Sequence, residues 1–112
     1  MVYSATAWTV EYLKQEVLEE AEALAADQRA RLQRIIELVQ LHSLERVREP
    51  HVKHLEGLLW EMRISGQSGI ARAVYSTAVG KRVVIVRVFV KKAQKTPRRE
   101  IELALKRAKE VV

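Results

Sequence analysis

Apolar residues recur at spacings of three and four in the first part of the chain and at every second position from Leu58 onward. The change of period divides a helical part from a sheet-forming part. Leu13, Val17, Ala21, Leu24 and Ala25 fall at helical spacing, with Glu16, Glu19, Glu20 and Glu22 between them. Asp27 is a good cap for a second helix, which carries Leu32, Ile35, Ile36, Val39 and His42 on one face. Two adjacent amphipathic helices with almost no linker predict a helical hairpin. Before it, Ala7–Tyr12 is rich in β-formers and reads as a short strand or as the entry to the first helix. After it, Ser43 to Gly57, with Pro50 inside, reads as a connecting loop.

Three strands follow. Leu58, Trp60, Met62 and Ile64 alternate with Leu59, Glu61 and Arg63, which puts the first set on one face as core. Ser65–Gly69 is a turn-rich bridge, Ile70–Val79 a second strand, and Gly80-Lys81 a tight turn. Val83–Val90 is almost wholly apolar and mostly β-branched, as an interior strand requires. By parity, Val86, Val88 and Val90 share one face, and Arg87, Phe89 and Lys91 the other. The short links predict an antiparallel meander. A last helix begins with Thr96 as cap and Pro97 in its first position, and shows a stripe of Ile101, Ala104, Leu105, Ala108 and Val111. The expected order is β-α-α-β-β-β-α in one α+β domain over residues 1–112, with a small, mainly antiparallel sheet.

The 112 residues are 48% hydrophobic and 30% charged, which fits a folded domain and not a disordered tail. There is no cysteine, so disulfides, thiolate metal sites and a cysteine nucleophile are excluded. The start, Met1 to Trp8, lacks a basic region and a long apolar core, so no secretory signal is expected. No apolar run approaches the roughly 20 residues of a membrane helix. We expect a cytoplasmic protein with no membrane partner.

The charge adds a direction. Residues 1–62 hold seven bases and eleven acids, a net of −4; residues 63–112 hold thirteen bases and three acids, a net of +10. A half-chain at +10 attracts phosphate or another polyanion. One registration of the strands puts Arg63, Arg72, Arg87 and Lys91 on the same open side of the sheet. Lys91–Arg99 then holds five bases, Lys91, Lys92, Lys95, Arg98 and Arg99, and no acid. It ends at a helix start, where free N–H groups favour an anion. The competing reading is a solvated turn whose lysines blunt a sheet edge. His51, His54 and His42 lack a third ligand at a defined spacing, so no metal and no cofactor are expected. Trp8 and Trp60 read as core, and the acidic run Glu11–Glu22 as a solvated face.

Several runs are similar to known motifs. Lys53–Ile64 looks like a "vkhL.g.LWElRi" block, Arg72-Ala-Val-Tyr75 like "yRv.Y", Phe89–Pro97 like "F.KKtqktP", and Glu100–Arg107 like "eie.A.kR". Their order and spacing over roughly residues 8–110 resemble the HigB-like branch of the RelE superfamily, described as phage-derived or addiction-module killer proteins. The resemblance implies a RelE-like fold and the toxin of a type II toxin–antitoxin pair. Such a toxin is an endoribonuclease that cleaves translated mRNA on the ribosome and so inhibits translation. It also implies a cognate helix-turn-helix antitoxin. The family's active surface maps onto Glu61, Arg63, Arg72, Lys91, Lys92 and Lys95. Arg63 and Arg72 suit charge stabilisation. Lys91 or Lys92 is the proton carrier, and Glu61 is either a partner that orients an arginine or the base. A non-catalytic RNA-binding or regulatory module on the same fold is the alternative.

Overall fold

Burying one face of each amphipathic helix requires a sheet to pack on, and the chain supplies one of five strands. The computed structural model describes residues 8–47, 51–92 and 94–112. Ala7, Pro50 and most of the segment read for a secretory signal lie outside them. Strand β1 (Thr9–Tyr12) is followed by α1 (Gln15–Glu22), α2 (Ala26–His42) and a single 3₁₀ turn (Leu44–Arg46). Then come β2 (Val52–Glu56), β3 (Leu59–Gly66), β4 (Gly69–Ala78), β5 (Arg82–Lys91) and α3 (Arg98–Ala108). The sheet order is β1-β5-β4-β3-β2. Only the β1–β5 pair is parallel among these neighbours; the rest form the expected antiparallel meander.

One strand was hidden in the expected loop. Val52–Glu56 forms β2, at the sheet edge beside β3. An edge strand with charged and polar side chains carries little alternation, and this one packs only Val52 fully.

Helices cover both faces. On one side α1 and α2 bury Val17, Leu32, Ile35 and Val39 against Met62, Ile64, Tyr75, Val83 and Ile85. On the other side α3 buries Ile101 and Ala104 against Leu59, Val74, Val84 and Val86. Each fully buried aliphatic side chain contributes about 1.5–3 kcal/mol, so these two seams hold the layers together. The alternation of β3 is borne out at Met62 and Ile64. It is not borne out at Leu58, which sits in the turn before β3 and is 79% exposed, nor fully at Trp60, which is 39% exposed. Among the described residues, no helix is long and apolar enough to cross a membrane.

Parity also fails inside β5. Val74 pairs with Arg87 and Tyr75 with Ile85, so Val86 is an extra residue in the register. Val86 therefore joins the α3 side, while Val88 joins the α1–α2 side. A bulge of this kind frees backbone groups, which must find other partners. Here the Val86 carbonyl accepts from Arg107 at 2.9 Å, and the Val88 N–H donates to Glu20 at 3.1 Å. Glu20 is thus a structural clamp from α1 and not part of a solvated face.

Two expected caps act elsewhere. Helix α2 starts after Ala25, and the Asp27 carboxylate accepts the Ser68 N–H at 2.8 Å, tying α2 to the β3–β4 turn. That bond holds the Asp27 carboxyl below its usual range. At α3 the cap position is Pro97, and the Thr96 hydroxyl donates to Glu61 at 3.0 Å. At the β4–β5 turn, Gly80 and Lys81 both take positive φ, 87° and 58°, as a tight hairpin requires.

Candidate functional site

Helix α3 covers only part of its face of the sheet. Beyond it lies an open groove of about 720 Å³, lined by Lys53, Arg63, Arg72, Lys91, Lys92 and Gln94, with Gly69 and Ile70. The register explains the convergence. Arg63 stands directly opposite Arg72, Arg72 opposite Phe89, and Lys91 opposite Ile70, so their side chains share one face. Like charges directly opposed on a sheet are destabilising. Bringing them together gives the groove a strongly positive field that draws anions.

Arg72 is nearly buried, at 2% exposure, with Glu61 behind it at 4%. Arg72 Nε lies 3.3 Å from Glu61 Oε2, an ion pair that lacks hydrogen-bond geometry, and this Nε has no hydrogen-bond partner. Glu61 Oε1 accepts from Thr96. The carboxylate therefore ties the basic segment before α3 to the arginine. Burial lowers the Arg72 pKa; Glu61 counteracts this, and Arg63 adds to it. Lys91 is lowered by burial first and then by the charge of Arg72, with Arg63 and Lys53 contributing further. Five cations face this groove with one carboxylate behind them, an arrangement suited to an anion with several negative oxygens.

The sequence-predicted residues divide. Arg63, Arg72, Lys91 and Lys92 line the groove, and Glu61 supports it. Arg87, on the same face, is engaged under α3 instead. Its Nε lies 2.6 Å from Glu100 and its Nη1 2.9 Å from Glu20. The Glu100 hydrogen bond, followed by the nearby charge of Glu20, raises its pKa. Arg98 pairs with Glu56 at 2.7 Å outside the groove, and neither Arg99 nor Lys95 is among the groove-lining residues. Lys53 also lines the groove and is not among the residues the sequence points to, because its strand carries no clear alternation. Once β2 pairs with β3, Lys53 stands opposite Glu61 and its place in the groove follows.

Two outcomes follow from this geometry. Arg87→Ala should lower the melting temperature, since it removes one partner of two carboxylates, yet leave anion binding by the folded fraction within about twofold; thermal melting and anion titration check both. Thr96→Val should weaken the link to Glu61, and Thr96→Ser should restore it, read as a loss and recovery of groove-dependent anion binding.

Comparisons with known proteins agree with the architecture. A solved structure of a double mutant of the E. coli toxin RelE in the free state shares 22% identity at a TM-score of 0.63, covering 91% of this chain and 98% of that one. An archaeal RelE–RelB complex from Pyrococcus horikoshii OT3 contains a chain 20% identical at a TM-score of 0.55, covering 76% of this chain and 96% of that one. At these identities the likeness establishes the RelE-like fold. Among curated proteins no sequence matches this chain. The model of the family described as Phage derived protein Gp49-like (DUF891) matches residues 19–109, a span that takes in every residue of the basic groove, and the chain belongs to that family.

Proposed function

We propose that this chain is the toxin of a type II toxin–antitoxin pair, of HigB type, and that its basic groove is the active surface of an endoribonuclease acting on translated mRNA. The observation that carries this reading is Arg72, nearly buried beneath four further cations with its Nε lacking a hydrogen-bond partner. The fold shared with a protein named as a toxin, and with one solved as a RelE–RelB complex, supports it. A cognate antitoxin, expected to be a helix-turn-helix protein, is the protein partner. The mRNA and the ribosome with its rRNA are the others.

The chemistry follows from the groups available. The ribose 2′-oxygen attacks phosphorus and loses its proton to a base. The P–O5′ bond breaks, and the 5′-oxygen takes a proton. Arg63 and Arg72 stabilise the charge that builds on the non-bridging oxygens, since guanidinium groups stay charged and fork onto phosphate. Lys91, with its pKa lowered by burial and neighbouring cations, is the proton-transfer group. Glu61 is a positioning residue for Arg72, because its two oxygens face Arg72 and Thr96. Lys53, Lys92 and Lys95 grip flanking phosphates, and Arg99 extends the positive field.

Replacing Lys53, Lys91 and Lys92 together by alanine should flatten the dependence of binding on salt by about 0.7 per lost phosphate contact for single-stranded RNA. An unchanged slope would place the phosphates elsewhere. The direct test is a translating extract. Wild type is expected to cut mRNA within codons and Arg63→Ala to leave it intact. Intact mRNA with wild type, together with retained RNA binding, would favour a non-catalytic module.

A further inference from the structure

A second groove, of about 550 Å³, opens on the opposite face of the sheet and is lined by Val47, Val52, Lys53, His54, Trp60 and Tyr75 among others. Trp60 is a large apolar side chain on an interior strand, yet it is 39% exposed. Its ring is met edge-on by His54, with centroids 4.9 Å apart and planes at 64°. The His54 ring is itself fixed by a 2.9 Å hydrogen bond between Nε2 and the Gly57 carbonyl. An indole braced by a fixed imidazole and open to a groove is a platform for a planar ligand.

Continuity and charge identify the ligand. Lys53 belongs to the walls of both grooves. The edge strand β2 lies between them, and among the described residues no further strand lies outside it. A polyanion leaving the basic groove meets the Lys53 ammonium first and the Trp60 ring next. A flexible chain that alternates phosphates with planar rings matches that sequence of contacts, and single-stranded RNA is such a chain. The Glu45 carboxylate in the same groove accepts from Trp8 Nε1 at 3.1 Å.

We propose that the Trp60 groove is a nucleobase subsite, in which a base beside the gripped phosphate stacks on the indole while Lys53 contacts the phosphate at the β2 edge. This rests on the basic groove being an RNA site. It extends the footprint around the edge of the sheet onto the face that α1 and α2 cover.

The test uses short single-stranded RNA carrying 2′-O-methyl groups, which cannot be cleaved, titrated at several salt concentrations. Trp60→Ala should raise Kd on the order of tenfold with no change in salt slope, and Trp60→Phe should recover most of the affinity. Lys53→Ala should reduce the slope by about 0.7. An abasic residue moved along the strand should weaken wild-type binding at one position and have no further effect there in Trp60→Ala. Wild-type affinity in Trp60→Ala would overturn the subsite while leaving the basic groove intact, provided Arg63→Ala still loses binding. Wild-type affinity in both Trp60→Ala and Arg63→Ala would instead sink the basic-groove reading on which the proposal depends. Loss of antitoxin binding in Trp60→Ala with RNA affinity retained would also overturn the subsite and make the groove a protein-docking site.

Discussion

Arg72→Ala is expected to reduce RNA cleavage by roughly 10²–10³-fold, the loss typical when a fixed donor is removed from developing charge. The same change should destabilise the fold by about 3–5 kcal/mol, because it leaves the Glu61 carboxylate buried without its ion-pair partner. The two effects separate in the double variant Glu61→Leu/Arg72→Met. Replacing a buried pair with apolar groups of similar size is often neutral or stabilising, so the melting temperature should return to near wild type. Cleavage should stay as low as in Arg72→Ala. Recovery of both stability and cleavage would remove Arg72 from the chemistry.

Lys91→Met should abolish cleavage and raise stability. Lys91 is held below the ordinary lysine range in the folded chain by burial and by Arg72, Arg63 and Lys53. A lysine with a lowered folded pKa penalises folding at pH values below that pKa. The penalty fades as pH rises from the folded pKa toward the unfolded one. The methionine removes it, so the gain in melting temperature should be largest at neutral pH and shrink in alkaline buffer. One limb of the pH profile of wild-type cleavage should be set by Lys91, and Lys91→Arg should shift that limb upward. A melting temperature that falls in Lys91→Met at neutral pH would contradict the electrostatic picture of the groove.

Much of this arrangement was legible beforehand, and the exceptions have physical causes. Ile35 and Val39 at helical spacing and Met62 and Ile64 at strand spacing all reached the core, because each lies in an element with one clear apolar face. Arg63, Arg72 and Lys91 share a face, as they do in the one strand registration assumed from the sequence. Parity broke at Val86, since a bulge depends on the partners offered by Glu20 and Arg107, and these come from distant helices. Lys53 was missed because β2 is an edge strand whose side chains are mostly polar. Arg87 sits in the same basic half as the groove residues, and nothing in its local sequence shows that Glu20 and Glu100 would claim it. Thr96 has the residue type of a cap, but a tertiary contact with Glu61 won over the local one.

The chemical nature of the cut ends tests the active groove most directly. Purified protein, supplied with translating ribosomes, is expected to leave a 2′,3′-cyclic phosphate on the upstream fragment and a 5′-hydroxyl on the downstream one, both readable by mass spectrometry. A 3′-hydroxyl upstream end, or the same cut from Arg72→Ala at wild-type rate, would contradict it.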